Sequence, residues 1–344
     1  MINNTDLNIL PPTIWVECGR NIPRYAKQNS LLMKTLHPQI NQIMVTDYVR
    51  KQDIASFPFF VHRITEEGKS EETLKFEAIK KKFPHKQEYF WMGTTARFFY
   101  LYDFMINSNI DKILHLETDC ILFSVNGLLE LASSDAEFLA YPMQNENLGC
   151  ASYFFVNSRE ILKDFLNFIL EHWNKDDETD MTLLGKFAIS SKVQKLSTWP
   201  DVVDGAKVFF DAGTIGPYYL GSDARNFRLP FSRRGRIDSS SGSIMSQIEK
   251  RNYDWSIEKT SSGISIELIY QQESYELQNI HIHSKRVYSN VGHTYRQMIK
   301  GFRKRPSVVW RIGSPDPIVF CERLISFIHR RVFRLNVYKS VNLR

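Results

Sequence analysis

Short apolar runs alternate with amphipathic stretches over most of the 344 residues. "TIWVEC" (13–18) and "NQIMVTD" (41–47) have the apolar character of buried strands, the second ending at Asp47. Between them, "GRNIPRYAKQNSLLMKTLHP" reads as a loop and then a helix, with Tyr25, Leu31 or Leu32, and Leu36 near helical spacing. Strand, helix and strand in succession predict an α/β fold with parallel strands. A charged amphipathic helix is predicted over "SEETLKFEAIKKKF" (70–83), its Lys80–Lys82 run on a solvated face. "TTARFFYLYDFMINSN" (94–109) predicts a helix capped by Thr94 or Thr95 and stopped by its Asn-rich end. "SREILKDFLNFILEHW" (158–173) predicts one capped by Ser158, and "DMTLLGKFA" (180–188) begins another. "AEFLAYPM", "CASYFFVNS", "GISIELIY" and "LQNIHIHSK" read as strands; "KVFFDAGTIGPYYLGSDARN" reads as a strand entering a Gly- and Pro-rich loop. Residues 232–247, rich in Ser and Arg, are expected to be a mobile loop. Together these predict one α/β domain over residues 1–295, with a mixed, mostly parallel sheet flanked by helices. A basic helical extension over 296–344 follows it.

Composition narrows the class. Hydrophobic residues make up 43% and charged residues 24%, a globular balance rather than a disordered one. No apolar run approaches the roughly 20 residues of a membrane span, and the N-terminus has no secretory pattern. Cys18, Cys120, Cys150 and Cys321 are scattered without metal spacing, which implies free thiols in a reducing, cytoplasmic setting. The net charge of +6 is unevenly placed: ten basic residues from Arg303 to Arg344 face two acids, Asp316 and Glu322. Apolar Ile318, Val319, Leu324, Ile325, Ile328, Val332 and Phe333 interleave with those arginines, a pattern that suits the anionic inner face of a membrane. The chain carries no recognisable nucleic-acid-binding signature.

The candidate chemistry lies in "ILHLETDCILF" (113–123). An apolar strand is interrupted by Glu117 and Asp119, where parallel sheets collect ligands. In an extended segment the two side chains share one side. Paired carboxylates suit a hard divalent ion, Mg²⁺ or Mn²⁺, that grips a diphosphate, and buried carboxylates need such a partner. Arg97, among aromatic residues of the preceding helix, would pair with the acids or with a phosphate. On one strand face, His281, His283 and Lys285 offer an imidazole to the metal and an ammonium to the diphosphate.

These residues resemble a known family. "TTARFFYLYDFM…ILHLETDCILF" is similar to the helix and strand that lead into the DXD motif of metal-dependent GT-A glycosyltransferases of the bacterial polysaccharide and lipooligosaccharide type. "HIHSK" resembles their C-terminal His and Lys, "FDAGTIGPYYLG" their Asp- and Gly-rich loop, "TDMTLL" the helix start beside their active site, and residues 13–38 their opening strand and helix. The resemblance spans about residues 13–290, with Glu117 in place of the first Asp. It implies a hexosyltransferase that uses a nucleotide sugar, UDP-sugar first, and a saccharide or lipid-linked saccharide acceptor. It implies Asp119 as metal ligand with Glu117 beside it, and His283 ahead of His281 as the third ligand. Lys285 and Arg97 would meet the diphosphate, Val16 and Asp47 the nucleoside, and Asp180 and Asp211 the acceptor side. Two other readings use the same residues: an inactive binding protein of this fold, and a metal-dependent nucleotidyltransferase.

Overall fold

The computed structural model describes residues 10–18, 22–47, 59–80, 86–173, 178–199, 206–220, 253–261, 263–283 and 285–303. The expected loop at 232–247, the side chains of Lys80–Lys82 and the basic extension beyond Arg303 lie outside them. Among the described residues no helix is long and apolar enough to cross a membrane.

In chain order the first half contains β1 (Thr13–Glu17), α1 (Arg24–Leu36), β2 (Gln42–Thr46), β3 (Phe60–Arg63), α2 (Glu71–Lys80), α3 (Lys86–Ser108), β4 (Ile113–Leu116), β5 (Cys120–Leu122), α4 (Asn126–Ala132), β6 (Leu139–Asn145), β7 (Leu148–Gly149) and β8 (Tyr153–Val156). The second half contains α5 (Arg159–His172), α6 (Asp180–Phe187), β9 (Val193–Leu196), β10 (Val208–Phe209), α7 (Ile215–Leu220), β11 (Tyr253–Lys259), β12 (Ile264–Tyr270), β13 (Glu273–Leu277), β14 (Asn279–His281) and α8 (Val291–Arg303). The main sheet has the order β3-β2-β1-β4-β8-β6-β7, with β9 also on β6. β3, β2, β1 and β4 are all parallel neighbours, β9 is parallel to β6, and β8 reverses against both β4 and β6. The expected mixed, mainly parallel α/β sheet is the one found.

Both faces of the central strands are buried, which is why they read as continuous apolar runs. Ile14, Ile113, Phe154 and Val156 enter one core with α3 and α5; Trp15, Leu114, Tyr153 and Phe155 enter the other. On α1 the inward side is Ala26, Asn29, Ser30, Leu32, Met33 and Leu36, so Leu32 faces the core and Leu31 is half exposed.

Several boundaries differ from the pattern. α3 starts at Lys86, so Thr94 and Thr95 lie inside the helix and not at its N-cap. Ser158 stands at the N-cap of α5 but makes no side-chain capping bond. Thr179, not Asp180, caps α6, its hydroxyl accepting from Thr182 N. The Gly- and Pro-rich stretch after Asp211 turns into α7 instead of staying a loop. α8 runs through residue 295 and packs against α7 and β11, its Phe302 stacked on Tyr219.

The second sheet, β10-β13-β12-β11, is linked to the first by a short antiparallel pair, β5 with β14, and by an isolated parallel bridge between Thr198 and Phe210. Its register sets Cys120 opposite His281 and Leu122 opposite Asn279. Asp211, fully buried, fixes β14 against α7: Oδ1 accepts from Thr214 N (2.8 Å) and Ile215 N (2.9 Å), Oδ2 from Gly216 N (2.9 Å) and His281 N (2.9 Å). The strand expected over 277–285 ends at His281. Beyond it the chain turns, with Lys285 N donating to Ile282 O (2.9 Å) and Lys285 itself at φ 54°, in the left-handed region.

Two outcomes follow. A Cβ on Gly216 would lie 1.9 Å from His281 O and 3.0 Å from Asp211 Oδ2. Gly216→Ala is therefore expected to destabilise the protein by about 1–3 kcal/mol and to raise amide exchange along β14, read by urea unfolding and hydrogen exchange. His37, buried with Nε2–H donating to Leu122 O (3.1 Å), has its pKa pushed by burial down to about 4. The unfolded chain therefore binds a proton there that the folded one refuses. This contribution is complete above pH 6.5 and is lost as pH falls toward 4, by on the order of 3 kcal/mol. Unfolding between pH 7 and pH 4 is expected to show a shallower loss in His37→Gln, which keeps a donor for Leu122 O without the titration.

Candidate active site

The turn after β4 carries the two acids. Its backbone is clamped by Cys120 N donating to Glu117 O (2.8 Å) and by Asn29 Nδ2, which donates to Thr118 O (3.1 Å) and Cys120 O (2.7 Å). Thr118 Oγ1 donates to Glu17 Oε1 (2.9 Å), Glu117 N to Ser152 O (3.3 Å), and Ile282 N to Asp119 O (2.9 Å). The acids converge because this turn folds them together. The expected strand pleat is absent, since β4 ends at Leu116 and residues 118–119 are a turn. Val16 and Asp47 lie at the carboxyl ends of β1 and β2, on the sheet edge from which the turn projects. Asp47 accepts from Tyr100 OH (3.5 Å).

Three cations from three elements meet the acids. Arg97 of α3 is buried and forks, Nη1 to Glu117 Oε1 and Nη2 to Asp180 Oδ2, while its Nε donates to Thr94 O (2.5 Å). His281, at the end of β14, places Nε2 2.9 Å from Glu117 Oε2 and 3.2 Å from Asp119 Oδ2. Lys285 pairs with the same Asp119 Oδ2, its ammonium 5.5 Å above the Tyr25 ring. Of the two histidines, His281 is the one that reaches both carboxylates, and His283 Nε2 lies 3.1 Å from the other ring nitrogen, His281 Nδ1. The strand's early end is the cause, since the turn after His281 takes His283 off the expected common face.

Burial and pairing compete at every group. Burial raises the Glu117 and Asp119 carboxyls, but Arg97 and His281 hold Glu117 well below the usual range, and Lys285 and His281 do the same for Asp119. Burial opposes the His281 charge, yet Asp119 and Glu117 lift its pKa well above 6.5. His283, half-buried and beside a charged neighbour, is pushed down to about 3 by desolvation and by the His281 charge, and is neutral. Its Nε2 accepts from His281 Nδ1–H, which leaves His281 Nε2 directed at the acids. Asp180 is pushed upward, chiefly by burial and partly offset by Arg97, and its buried Oδ1 has no hydrogen-bond partner among the described residues.

The donor set fits a divalent ion. One ligand atom each from Glu117, Asp119 and His281 lie within 4.8 Å of one another, two oxygens and a nitrogen on a fixed backbone. Asp211 does not join them with its carboxylate, whose two oxygens accept four backbone N–H groups. The pattern pointed to neither Asn29 nor Thr118 nor Glu17; the signal in hindsight is a polar Asn29 on the apolar side of α1 and an acid ending a buried strand.

No protein-family model and no curated protein sequence matches the chain. Its fold is similar to that of several solved structures. The glycosyltransferase GlyE of Streptococcus pneumoniae TIGR4 is 15% identical over 54% of this chain and 45% of its own, with a TM-score of 0.35, so the chain spans less than half of GlyE's length. The galactosyltransferase LgtC, in complex with donor and acceptor sugar analogues, is 14% identical over 54% of this chain and 73% of its own, with a TM-score of 0.37. A cytidylyltransferase of Leptospira borgpetersenii serovar Hardjo-bovis is 14% identical over 70% of this chain and 93% of its own, with a TM-score of 0.35. At such identities no residue role passes from them to this chain.

Proposed function

We propose that the chain transfers a sugar from a nucleoside-diphosphate donor, a UDP-sugar first, to a hydroxyl of a saccharide or lipid-linked saccharide, with Mn²⁺ or Mg²⁺ held by Glu117, Asp119 and His281. The convergence of buried Asp119 and half-buried Glu117 with a histidine 162 positions beyond Asp119 supports this reading most directly. Such an ion, when bound, supplies Lewis-acid neutralisation of the departing diphosphate.

The remaining roles belong to the chain. Asp119 shares one carboxylate oxygen between His281 and Lys285, so Lys285 is positioned at the edge of the site as a point charge for phosphate. Arg97 keeps Glu117 ionised and aimed. His283 fixes the orientation of the His281 ring and is a positioning residue. Asp180, with a buried Oδ1 that has no hydrogen-bond partner among the described residues and an upward-shifted pKa, has the character of a group that receives the acceptor's proton. Asp211 acts through the backbone it anchors. Val16 and Asp47 border the site where a nucleoside would lie.

A panel of nucleotide sugars, each with and without Mn²⁺, is expected to show one donor that raises the melting temperature only in the presence of the ion. Asp119→Asn should abolish that metal-dependent shift and lower turnover by at least about a hundredfold. Release of nucleoside diphosphate is the expected product signature; pyrophosphate would instead mark nucleotidyl transfer, and no stabilising donor would point to another ligand class. His283→Ala should weaken the Mn²⁺ response about tenfold while leaving the metal-free melting temperature within a few degrees, since only the ring's orientation is lost.

A further inference from the structure

His281 turns only one ring nitrogen to the acids. Around the other, Nδ1, stands a second group of donors. His283 Nε2 lies 3.1 Å from it, and the Cys150 thiol is within hydrogen-bond reach of the same ring. A glycine leaves room between them. Gly213, at φ 78°, has no side chain, and a Cβ placed on it would stand 3.5 Å from His281 Nδ1, 3.7 Å from His283 Nε2 and 3.8 Å from Cys150 Sγ. Two imidazole nitrogens and a sulfur thus border one space.

The donors come from separate parts of the fold and are held there. Cys150 follows β7; its N donates to Pro142 O (2.9 Å) and its Sγ to Ser152 Oγ (3.2 Å), which donates in turn to Asp211 O (3.1 Å). His281 N is tied to Asp211 Oδ2 (2.9 Å). Cys150 and His281 are buried, whereas His283 is half-buried and forms the side from which an ion can enter. The group is more widely spaced than Glu117, Asp119 and His281, and a rotation of the His283 ring closes it. Imidazole and thiolate are the donors that zinc takes, while hard ions prefer carboxylate oxygen. With Nε2–H of His281 kept toward Glu117 and Asp119, Nδ1 is free to be the ligand, the carboxylate–histidine–metal arrangement of zinc sites.

We propose that Cys150 Sγ, His281 Nδ1 and His283 Nε2 form a zinc site that withholds His281 from the hard ion. Binding exchanges protons for the ion: the Cys150 thiol and His281 Nδ1 each give one to solvent, and Nε2–H of His281 stays on the acids. A hard ion at Glu117 and Asp119 needs the Nε2 lone pair, so the two loadings oppose each other, equally in both directions. Zinc binding stands apart from the glycosyl-transfer reading; only the antagonism rests on it, through the ion proposed at Glu117, Asp119 and His281.

The test uses the full chain without nucleotide sugar. Co²⁺, a coloured stand-in for Zn²⁺, is expected to bind with thiolate-to-cobalt absorption in the near ultraviolet, and Zn²⁺ to displace it. Cys150→Ser should abolish that absorption, His283→Gln should weaken the affinity at least about tenfold, and Asp119→Asn should leave the absorption in place. X-ray absorption of the wild-type zinc form should show sulfur beside the metal, a readout that needs no variant to fold. Manganese binding, followed by the electron-resonance signal of the free ion, should weaken when an equivalent of zinc is added to wild type but not to Cys150→Ser, with metal-free melting temperatures as the folding control. Zinc bound through oxygen and nitrogen alone overturns the site, as does thiolate absorption that persists in Cys150→Ser. Equal displacement of manganese by zinc in wild type and Cys150→Ser overturns the antagonism, because zinc is then taking the acids. Absence of manganese binding removes the antagonism together with the ion of the proposed function, and the sulfur readouts then decide the site alone.

Discussion

Two carboxylates, buried Asp119 and half-buried Glu117, are placed side by side, and the fold must compensate for that. Each carboxylate taken from water costs several kcal/mol, and their mutual repulsion adds to it. The compensation comes from Arg97 on α3, His281 at the end of β14 and Lys285 in the turn beyond, so no contiguous segment supplies it. The site therefore exists only when the first sheet, its covering helix and the second sheet have all assembled. Each acid has two cationic partners, and removing one leaves its carboxylate only partly compensated, which costs more than the net worth of the pair.

Geometry follows from the same demand. Charges that must neutralise one another cannot drift, and here the backbone is bound as tightly as the side chains. Asn29 straddles the acid turn from α1, Ile282 N holds Asp119 O from the far strand, and Asp211 ties His281 N to the amides that open α7. Gly216 permits the close approach of α7 to His281 O. The β5–β14 pair is only three residues long, yet its register sets the position of the imidazole relative to both acids. Shorter pairing is sufficient because side-chain to backbone bonds on either side pin it.

What the sequence made legible was whatever involved burial. Acids inside "ILHLETDCILF" stand out because the run around them must be interior, and the apolar β1, β2 and β4 segments announce a doubly covered parallel sheet. Edge and second-sheet strands such as β3, β9 and β11 were not legible: their exposed faces carry polar residues and their partners are remote in sequence. The choice between His281 and His283 was not legible either. Alternation assumes that a strand continues, and β14 stops at His281 because the chain turns to bring Lys285 to Asp119. Asp180 and Asp211 look equivalent as acids near helix starts. Only tertiary contacts show one leaving a buried oxygen with no hydrogen-bond partner among the described residues and the other saturated by backbone amides.

Lys285 stands between the acid turn and the open side of the site: its ammonium lies on Asp119 Oδ2, and its side chain also lines an open cavity with Arg24 and Arg286. On the proposed function a divalent ion competes with Lys285 and with the His281 proton for Asp119, and this lowers its affinity for the protein alone. The diphosphate of the proposed donor offers Lys285 a new counter-charge, so Asp119 is released at smaller cost. Ion and phosphate then favour one another by the same factor in each direction, as linkage requires. Cooperative loading of that kind keeps the acid pair neutralised at every stage, by the chain's own cations before the substrate arrives and by shared ones after.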